Sequence, residues 1–589
     1  MGKPKKRQKT EDVVKSRITV LLNCTLLALI CTLGFTIRVI GQVEKVFPKE
    51  GLVLYRGVDP WYHARLADVA QQNFPHILQW DMFAKFPDGA SVGYLPALTW
   101  LSVLTRQVGG EALVAFIPPV LAVLVIILTY FLSKELFNNN SVGLLAALFV
   151  AILPGEFFHR SLLGFVDHHV LETILATTCI YFLTKAYKTE KTLWSILSGI
   201  AIGVYIFTWA GAPLFVGLVL LWFWFEFLRR YAKKEEQFFN VKLFSIVGLV
   251  AFPATMLPSN PIPKAAVLTL IVAPIVMWLL TRVIKSREML LFALTAVTPL
   301  AIVFITMSFR YELVQLSSVL WGGDTYIGEA QPITISTLLA TFGLAAILLP
   351  GGLWYAKKDR YTALFWIWAV VMLLANIGQR RWGYYTIVPI SILASFFCFY
   401  SLKWFRQEAH KAIIVVIIGF AIAISLTNIV RLANLPNNIS PDWYNTCMWL
   451  EQETPEPFST EGAYYQTDLK ERPKYGVLAW WDYGHWIIRI GKRVPLSSPT
   501  QFNTKPAEFF TSQSFEEAEK VLEDLNVKYI IIDKDLIEGK WYAVNLRIGT
   551  NRNIQDCIIW RLWTEEKDSP YKLVYKCSTI KVFERKVGL

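Results

Sequence analysis

The chain reads as a polytopic α-helical membrane protein, with about thirteen transmembrane helices followed by a C-terminal mixed α/β extracytoplasmic domain. Three observations carry this reading. Of 589 residues, 54% are hydrophobic and only 17% charged, and a mean hydropathy of +0.41 is too high for a water-soluble chain of this size. Lys and Arg recur in alternate connections between the apolar stretches. Beyond about residue 432 the pattern turns polar, with strand and helix periods in place of apolar runs.

The apolar stretches fall at 17–40, 112–133, 141–158, 169–187, 192–209, 211–228, 242–258, 265–283, 289–307, 334–355, 362–377, 383–400 and 411–430. The N-terminus carries Lys3, Lys5, Lys6, Arg7 and Lys9, a basic flag for the cytoplasmic side. The first apolar stretch is long for a cleaved signal and no small-residue cleavage site follows it, so it reads as a retained anchor. With thirteen crossings the cytoplasmic connections contain Lys134, Lys185 to Lys191, Arg229 to Lys234, Arg282 to Arg287, Lys357 to Arg360 and Lys403 to Lys411. All of these are basic, as retention of cations requires. Residues 1–431 then form the transmembrane part, with two long external connections at about 41–111 and 307–333, and 432–589 form the external domain. The expected location is the plasma membrane. The net charge of +13 is a basic rim on an apolar body, suited to anionic lipid and no argument for nucleic acid. Three of the seven cysteines, Cys447, Cys557 and Cys577, lie in the tail and leave room for one disulfide.

In the tail, Val527 to Asp533 has the pattern of a buried strand, preceded by an acidic amphipathic helix over Phe515 to Leu525. Leu573 to Cys577 and Ile580 to Phe583 read as a closing pair of strands. Ahead of these comes the most specific stretch of the chain, Trp480-Trp481-Asp482-Tyr483-Gly484. Adjacent tryptophans offer large rigid contact area with few rotatable bonds, and Asp482 adds one charged acceptor. A buried aromatic pair before a Gly turn is the plain alternative.

Four features fall on the same outer side. The first external connection holds Asp59-Pro60, which is either a helix start or a functional acid. The second holds Gly164-Phe165-Val166-Asp167-His168-His169-Val170-Leu171-Glu172. An acid and two imidazoles at a membrane edge are costly unless they face water, one another or a cation. Asp167 and His169 offer an oxygen and a nitrogen ligand compatible with Mn²⁺, or else form a hydrated interfacial cap. The connection after the ninth stretch carries Thr325-Tyr326-Ile327-Gly328-Glu329 beyond a Gly-Gly-Asp turn, as a mobile loop with one acid. Gln379-Arg380-Arg381-Trp382 is a short outer connection with two arginines, against the charge rule. A guanidinium suits phosphate through bidentate hydrogen bonds, and it also suits headgroup anchoring. A metal site, a phosphate clamp and an aromatic platform on one face imply chemistry on a lipid-phosphate donor.

The WWDYG string at 480–484 resembles the signature of the catalytic subunit of oligosaccharyltransferase, the enzyme of asparagine-linked glycosylation. The resemblance covers nearly the whole chain, as a GT-C glycosyltransferase membrane region followed by an external domain. It implies a metal-binding Asp in the first outer loop, matched by Asp59. It implies an acid with a second ligand two residues on, matched by Asp167 and His169 in the form of archaeal-type members. It implies a Glu in the fifth external loop, matched by Ile327 and Glu329, although Tyr326 stands where Thr or Ser is expected. The donor-phosphate arginine matches Arg381, with Arg380 as the second choice. Trp480, Trp481 and Asp482 match the residues that bind the Ser or Thr of the acceptor sequon. A further element of that pocket is degraded: Ile537-Glu538-Gly539-Lys540 keeps the Lys but lacks the Asp, and Asp533-Lys534 is the alternative alignment.

The implied activity is en bloc transfer of a glycan from a dolichyl or polyprenyl phosphate or pyrophosphate carrier to the Asn amide of Asn-x-Ser/Thr, with inversion at the anomeric carbon. Mn²⁺ or Mg²⁺ is the implied cofactor, and acceptor polypeptides, the lipid-linked donor and membrane lipid are the partners of a single-subunit enzyme. Two rivals stay open. Another lipid-phosphate-dependent GT-C transferase would use an Asp in the first outer loop but would not need WWDYG. A transporter would place its ionisable groups near the bilayer midplane on broken helices, whereas these acids sit at outer span ends.

Overall fold

The computed structural model of the chain describes residues 4–257, 260–284, 286, 288–290, 292, 328–356, 361–404, 407–436 and 439–585. These pack as two compact units, one from 1–42, 118–163 and 168–435 and one from 43–117, 164–167 and 436–589.

The first unit is helical. Its helices are Pro4–Val39, Ile117–Phe137, Asn140–Ile152, Glu156–Arg160, His169–Thr189, Thr192–Ile206, Ala212–Ala232, Phe238–Ala251, Pro261–Val283, Ile335–Tyr355, Ala363–Gly378, Gly383–Trp404 and Glu408–Asn434. Most of the apolar stretches coincide with one of them, and the stretch at 289–307 lies almost wholly outside the described residues. Among the described residues six helices are long and apolar enough to cross a membrane, or seven if the bent pair Ile335–Gly343 and Ala345–Tyr355 is one span, and four more are apolar but shorter. Length and hydropathy alone therefore do not reach the expected thirteen.

Two physical reasons are visible. Helix His169–Thr189 carries His169, Glu172, Lys185 and Lys188, which lower its mean hydropathy. Helix Ile335–Tyr355 is broken at Gly343, whose φ of 49° only glycine adopts cheaply. Helix Gly383–Trp404 lies at the centre of this unit, buried along most of its length, and packs against Ile335–Tyr355 and Asn140–Ile152. Helix His169–Thr189 packs against Thr192–Ile206.

The second unit joins the first external connection to the C-terminal region. Residues 41–111 are more ordered than an irregular loop: they contain helix Asp59–Asn73, the short antiparallel strands β1 (Trp80–Asp81) and β2 (Ala90–Ser91), and most of helix Pro96–Val114, which is broken at Gly109 and Gly110. The C-terminal region is a four-stranded mixed sheet with strand order β3-β4-β6-β5, where β3 is Gly476–Leu478, β4 Val527–Asp533, β5 Tyr571–Lys576 and β6 Ile580–Arg585. Strand β4 runs parallel to β3 and antiparallel to β6. It is central and nearly all buried, which is why Val-Lys-Tyr-Ile-Ile-Ile reads as a continuous apolar run. The parallel β3–β4 pair needs a long crossover. Helices Gly484–Arg489, Lys505–Thr511 and Phe515–Val521 supply it. The last of these begins at its Ser514 cap, whose hydroxyl accepts from the Glu517 amide at 3.1 Å, and stops four residues short of the expected Leu525. The closing hairpin has the expected position. All seven cysteines are free thiols, so the tail holds no disulfide.

The first connection is tied into the C-terminal region by buried charge. Arg65, 1% exposed, donates to Asp81 at 3.2 Å and to the Tyr464 carbonyl, and its guanidinium lies 3.9 Å from the Tyr464 ring centroid. Arg489 pairs with Asp68 at 3.2 Å and with Glu111 at 2.6 Å. Removing one member of such a buried network leaves an uncompensated charge, so the contacts specify how these segments meet.

Candidate active site

In the second unit the WWDYG residues form a short helical turn, Trp481–Tyr483, directly ahead of helix Gly484–Arg489. Gly484 is required by close approach: a Cβ there would lie 2.5 Å from the Ser497 carbonyl oxygen and 2.6 Å from Ser498. Trp480 and Tyr483 are buried, while Trp481 and Asp482 are partly exposed. The two indoles are 6.1 Å apart at 51°, and Phe502 meets Trp481 edge-on at 5.2 Å. The pair is thus one buried ring that holds and one accessible ring that can touch a ligand.

Lys540 donates to Asp482 at 2.8 Å, to Asp535 at 3.0 Å and to the Tyr483 hydroxyl at 3.1 Å. Burial lowers the Lys540 pKa, but Asp482 and Asp535 outweigh it and hold the ammonium above its usual range. Between the two alignments left open by the sequence, Lys540 is the one beside Asp482. Asp533 is instead a buried helix cap, accepting from the Leu536 amide at 2.9 Å and the Trp443 indole at 2.9 Å, and Lys534 pairs with Glu538 at 3.5 Å.

Asp59 belongs to this same unit. It opens helix Asp59–Asn73, with Pro60 behind it, and its half-exposed carboxylate lies 3.5 Å from Nδ1 of His485, the residue following Gly484. His485 is fully buried, and burial pushes its imidazole down to about 3 against the pull of the Val58 carbonyl. It is therefore neutral at working pH and stacks on Tyr62 at 4.8 Å. Asp167 is buried, with Oδ1 3.1 Å from His63 Nε2. His485 also feels the charges of His63 and Asp167, so Asp59, His63, Asp167 and His485 form one neighbourhood. Sequence reasoning gave His63 no role and missed His485, although His485 directly follows the WWDYG string.

In the helical unit, Glu329 sits on the short turn Gly328–Ala330. Its carboxylate is held by the buried guanidinium of Arg160, which also donates to Glu156 at 3.3 Å and lies 5.6 Å from the Tyr384 ring centroid. Burial works to raise the Glu329 pKa, yet the charges of Arg160, His169 and Arg381 leave it below the usual carboxylate range. Two backbone bonds fix this turn against the arginine segment: the Arg380 amide donates to the Gln331 carbonyl at 2.9 Å and the Ile333 amide to the Ile377 carbonyl at 3.2 Å. Arg380 is paired with Glu156 at 3.4 Å, whereas Arg381 packs 5.7 Å from the Trp382 ring centroid. The residues Thr325, Tyr326 and Ile327 lie outside the described residues. Arg160 was missed by sequence reasoning; the signal was available, as a cation inside the apolar run Phe157 to Val166 asks for a buried acidic partner.

His169 opens helix His169–Thr189. Its Nδ1 lies 3.2 Å from Glu172 Oε1, and His168 Nε2 lies 3.3 Å from the same oxygen. The ligand atoms of His168, His169 and Glu172 are within 4.8 Å of one another. Hard carboxylate oxygen and imidazole nitrogen suit a divalent first-row cation or Mg²⁺, so the donor types of Asp59, Asp167 and His169 fit the expected metal. Beside this cluster lies an apolar cavity of about 310 Å³ whose walls include Tyr205, Trp209, Leu218, Trp368, Trp382 and Tyr385.

Comparison with known proteins gives a consistent result. Residues 29–356 match the model of the family described as oligosaccharyl transferase STT3, N-terminal, and residues 440–537 match the AglB core domain. The chain is 26% identical to dolichyl-phosphooligosaccharide-protein glycotransferase 3 of Archaeoglobus fulgidus, over 88% of this chain and 70% of that protein. Its fold is similar to that of archaeal oligosaccharyltransferase AglB from A. fulgidus in complex with an inhibitory peptide and a dolichol-phosphate, with a TM-score of 0.81 at 23% identity over 89% of this chain and 71% of that one. It is also similar to the A. fulgidus enzyme in complex with Zn and sulfate, with a TM-score of 0.76 at 23% identity over 90% of this chain and 70% of that one.

Proposed function

This chain belongs to the oligosaccharyl transferase STT3 family and is a membrane-embedded oligosaccharyltransferase, and from that we propose that it transfers a glycan en bloc from a dolichyl or polyprenyl (pyro)phosphate carrier to the side-chain amide of Asn in Asn-x-Ser/Thr, with inversion at the anomeric carbon. The observation that carries this reading is the convergence of Glu329, His169 and Arg381 in the helical unit, with the acid ionised and its turn pinned to the arginine segment. One carboxylate for the acceptor amide and one guanidinium for the leaving phosphate are what such a transfer needs.

An amide nitrogen is a poor nucleophile because its lone pair is delocalised into the carbonyl. Asp59 and Glu329 each accept an N–H of the Asn side chain, which twists the amide and localises the lone pair. That nitrogen attacks the anomeric carbon opposite the departing phosphate oxygen, which gives inversion, and the proton it sheds leaves with the phosphate. Arg381 offsets the negative charge that grows on the phosphate, and the apolar cavity beside Trp382 takes the first isoprenoid units of the carrier. Asp59, Asp167 and His169 would hold Mn²⁺ or Mg²⁺, which when bound supplies Lewis-acid stabilisation of the leaving oxygen. The exposed edge of Trp481, with Asp482 steered by Lys540, receives the Ser or Thr hydroxyl and so positions the Asn two residues before it. The dolichol-phosphate, inhibitory peptide and Zn held by the A. fulgidus enzymes support this reading for carrier, peptide and metal. The alternating basic connections support thirteen crossings with the N-terminus cytoplasmic in the plasma membrane, and residues 1–431 as the membrane domain with 432–589 outside.

Transfer of glycan from a native lipid extract to an Asn-x-Thr peptide tests the reading. The acceptor side has its own test. Lys540→Ala is expected to raise KM for the peptide about tenfold with kcat little changed, because it removes a charge-assisted bond that orients Asp482 without touching the reacting atoms. Initial rates against peptide concentration measure it, and an unchanged KM would remove Lys540 from the pocket.

A further inference from the structure

Glu172 is a carboxylate with no exposed surface, buried in the first turn of helix His169–Thr189. Both of its oxygens are in use. Oε1 faces His169 Nδ1 at 3.2 Å and His168 Nε2 at 3.3 Å. Oε2 accepts from the hydroxyl of Tyr385 at 2.6 Å and of Tyr384 at 3.2 Å. Tyr385 is itself in contact with the Tyr205 hydroxyl, and Thr173 donates to the Tyr384 carbonyl at 3.2 Å. A carboxylate has about four acceptor sites, and four protein groups face this one.

We propose that Glu172 is a positioning residue that aims His169 and joins it to the arginine segment, an inference that rests on His169 being a metal ligand. Accepting from Nδ1–H fixes the neutral tautomer in which Nε2 carries the lone pair, as carboxylates hydrogen-bonded to the far nitrogen of a ligating histidine do. On its other side the carboxylate grips Tyr384 and Tyr385, which follow Arg381 by three and four residues. One buried group therefore sets the ring that ligates and the chain segment that carries the phosphate-binding guanidinium.

The test is Mn²⁺ binding by the full chain in detergent, read from loss of the free-ion EPR signal, for wild type and Glu172→Gln. The amide keeps the volume but cannot accept from both imidazoles and both phenols. Mn²⁺ affinity is expected to fall about 10–100-fold, with transfer activity regained at high Mn²⁺. A merely structural carboxylate would lower heat stability and activity together, with no recovery at high Mn²⁺. Tight Mn²⁺ binding by wild type and equally tight binding by Glu172→Gln overturns the proposal and leaves the metal reading intact. No Mn²⁺ binding by wild type overturns both. If Glu172→Gln does not accumulate, Tyr385→Phe replaces it: a several-fold loss of Mn²⁺ affinity is expected, and an unchanged affinity overturns the proposal.

Discussion

Glu329→Gln is expected to lower the rate of glycan transfer by about 10²–10³-fold, the size of effect seen when one preorganised polar contact to a reacting group is removed. The substitution keeps the shape of the side chain and removes only its charge and second acceptor. Arg160 loses one partner but keeps Glu156 at 3.3 Å, so the fold is not left with an isolated buried cation. Loss of activity with an unchanged unfolding temperature is therefore the expected pair of results.

The charge of Glu329 also sets its pH behaviour. Arg160, His169 and Arg381 outweigh burial and depress its pKa. Its contribution to stability is then fully present above the ordinary Glu value of about 4.3 and is lost only as pH falls through the lower folded value. Across about pH 6–8 it stays ionised, so the ratio of wild-type to Glu329→Gln rates is expected to be flat over that window. A ratio that changes tenfold across it would mean that Glu329 titrates, and so is not held by the cations that surround it.

Arg381→Ala is expected to cost about 10²–10³-fold in kcat/KM for the lipid-linked donor, and Arg381→Lys to recover only part of it, because an ammonium cannot make the planar bidentate contact to phosphate. Arg380→Ala makes the contrast. Arg380 is committed to Glu156 at 3.4 Å, and its loss is expected to lower stability more than turnover. Steady-state rates against donor concentration, alongside heat denaturation of each variant, separate the two. Equal losses of activity with equal stability would mean that the two arginines share the phosphate.

What the sequence disclosed and withheld follows from the range of the forces involved. Strand β4 and the closing hairpin were legible because burial of a central strand imposes a local apolar pattern. The helix positions were legible for the same reason, while their count was blurred where His169 and Glu172 interrupt a span or Gly343 bends one. Asp59, Asp167, His169, Glu329, Arg381 and the WWDYG string stood out as charges or aromatics at apolar edges, where they need a reason to be. The partners of those residues did not stand out. Arg160 meets Glu329 across a sequence separation of 169, and Glu172 meets Tyr385 across 213. No local period records such pairs. Lys540 is an intermediate case: its spacing departs from the family pattern because Asp535, not a residue three before it, shares its ammonium with Asp482.

The most direct test of the central claim is transfer from a native lipid extract, shown to contain lipid-linked oligosaccharide, to a fluorescent Asn-x-Thr peptide, with Mn²⁺ and with EDTA. A glycosylated peptide is expected in Mn²⁺, none in EDTA, and none when Gln replaces Asn. Absence of transfer in Mn²⁺ from a donor-containing extract, or equal transfer to the Gln peptide, would contradict it.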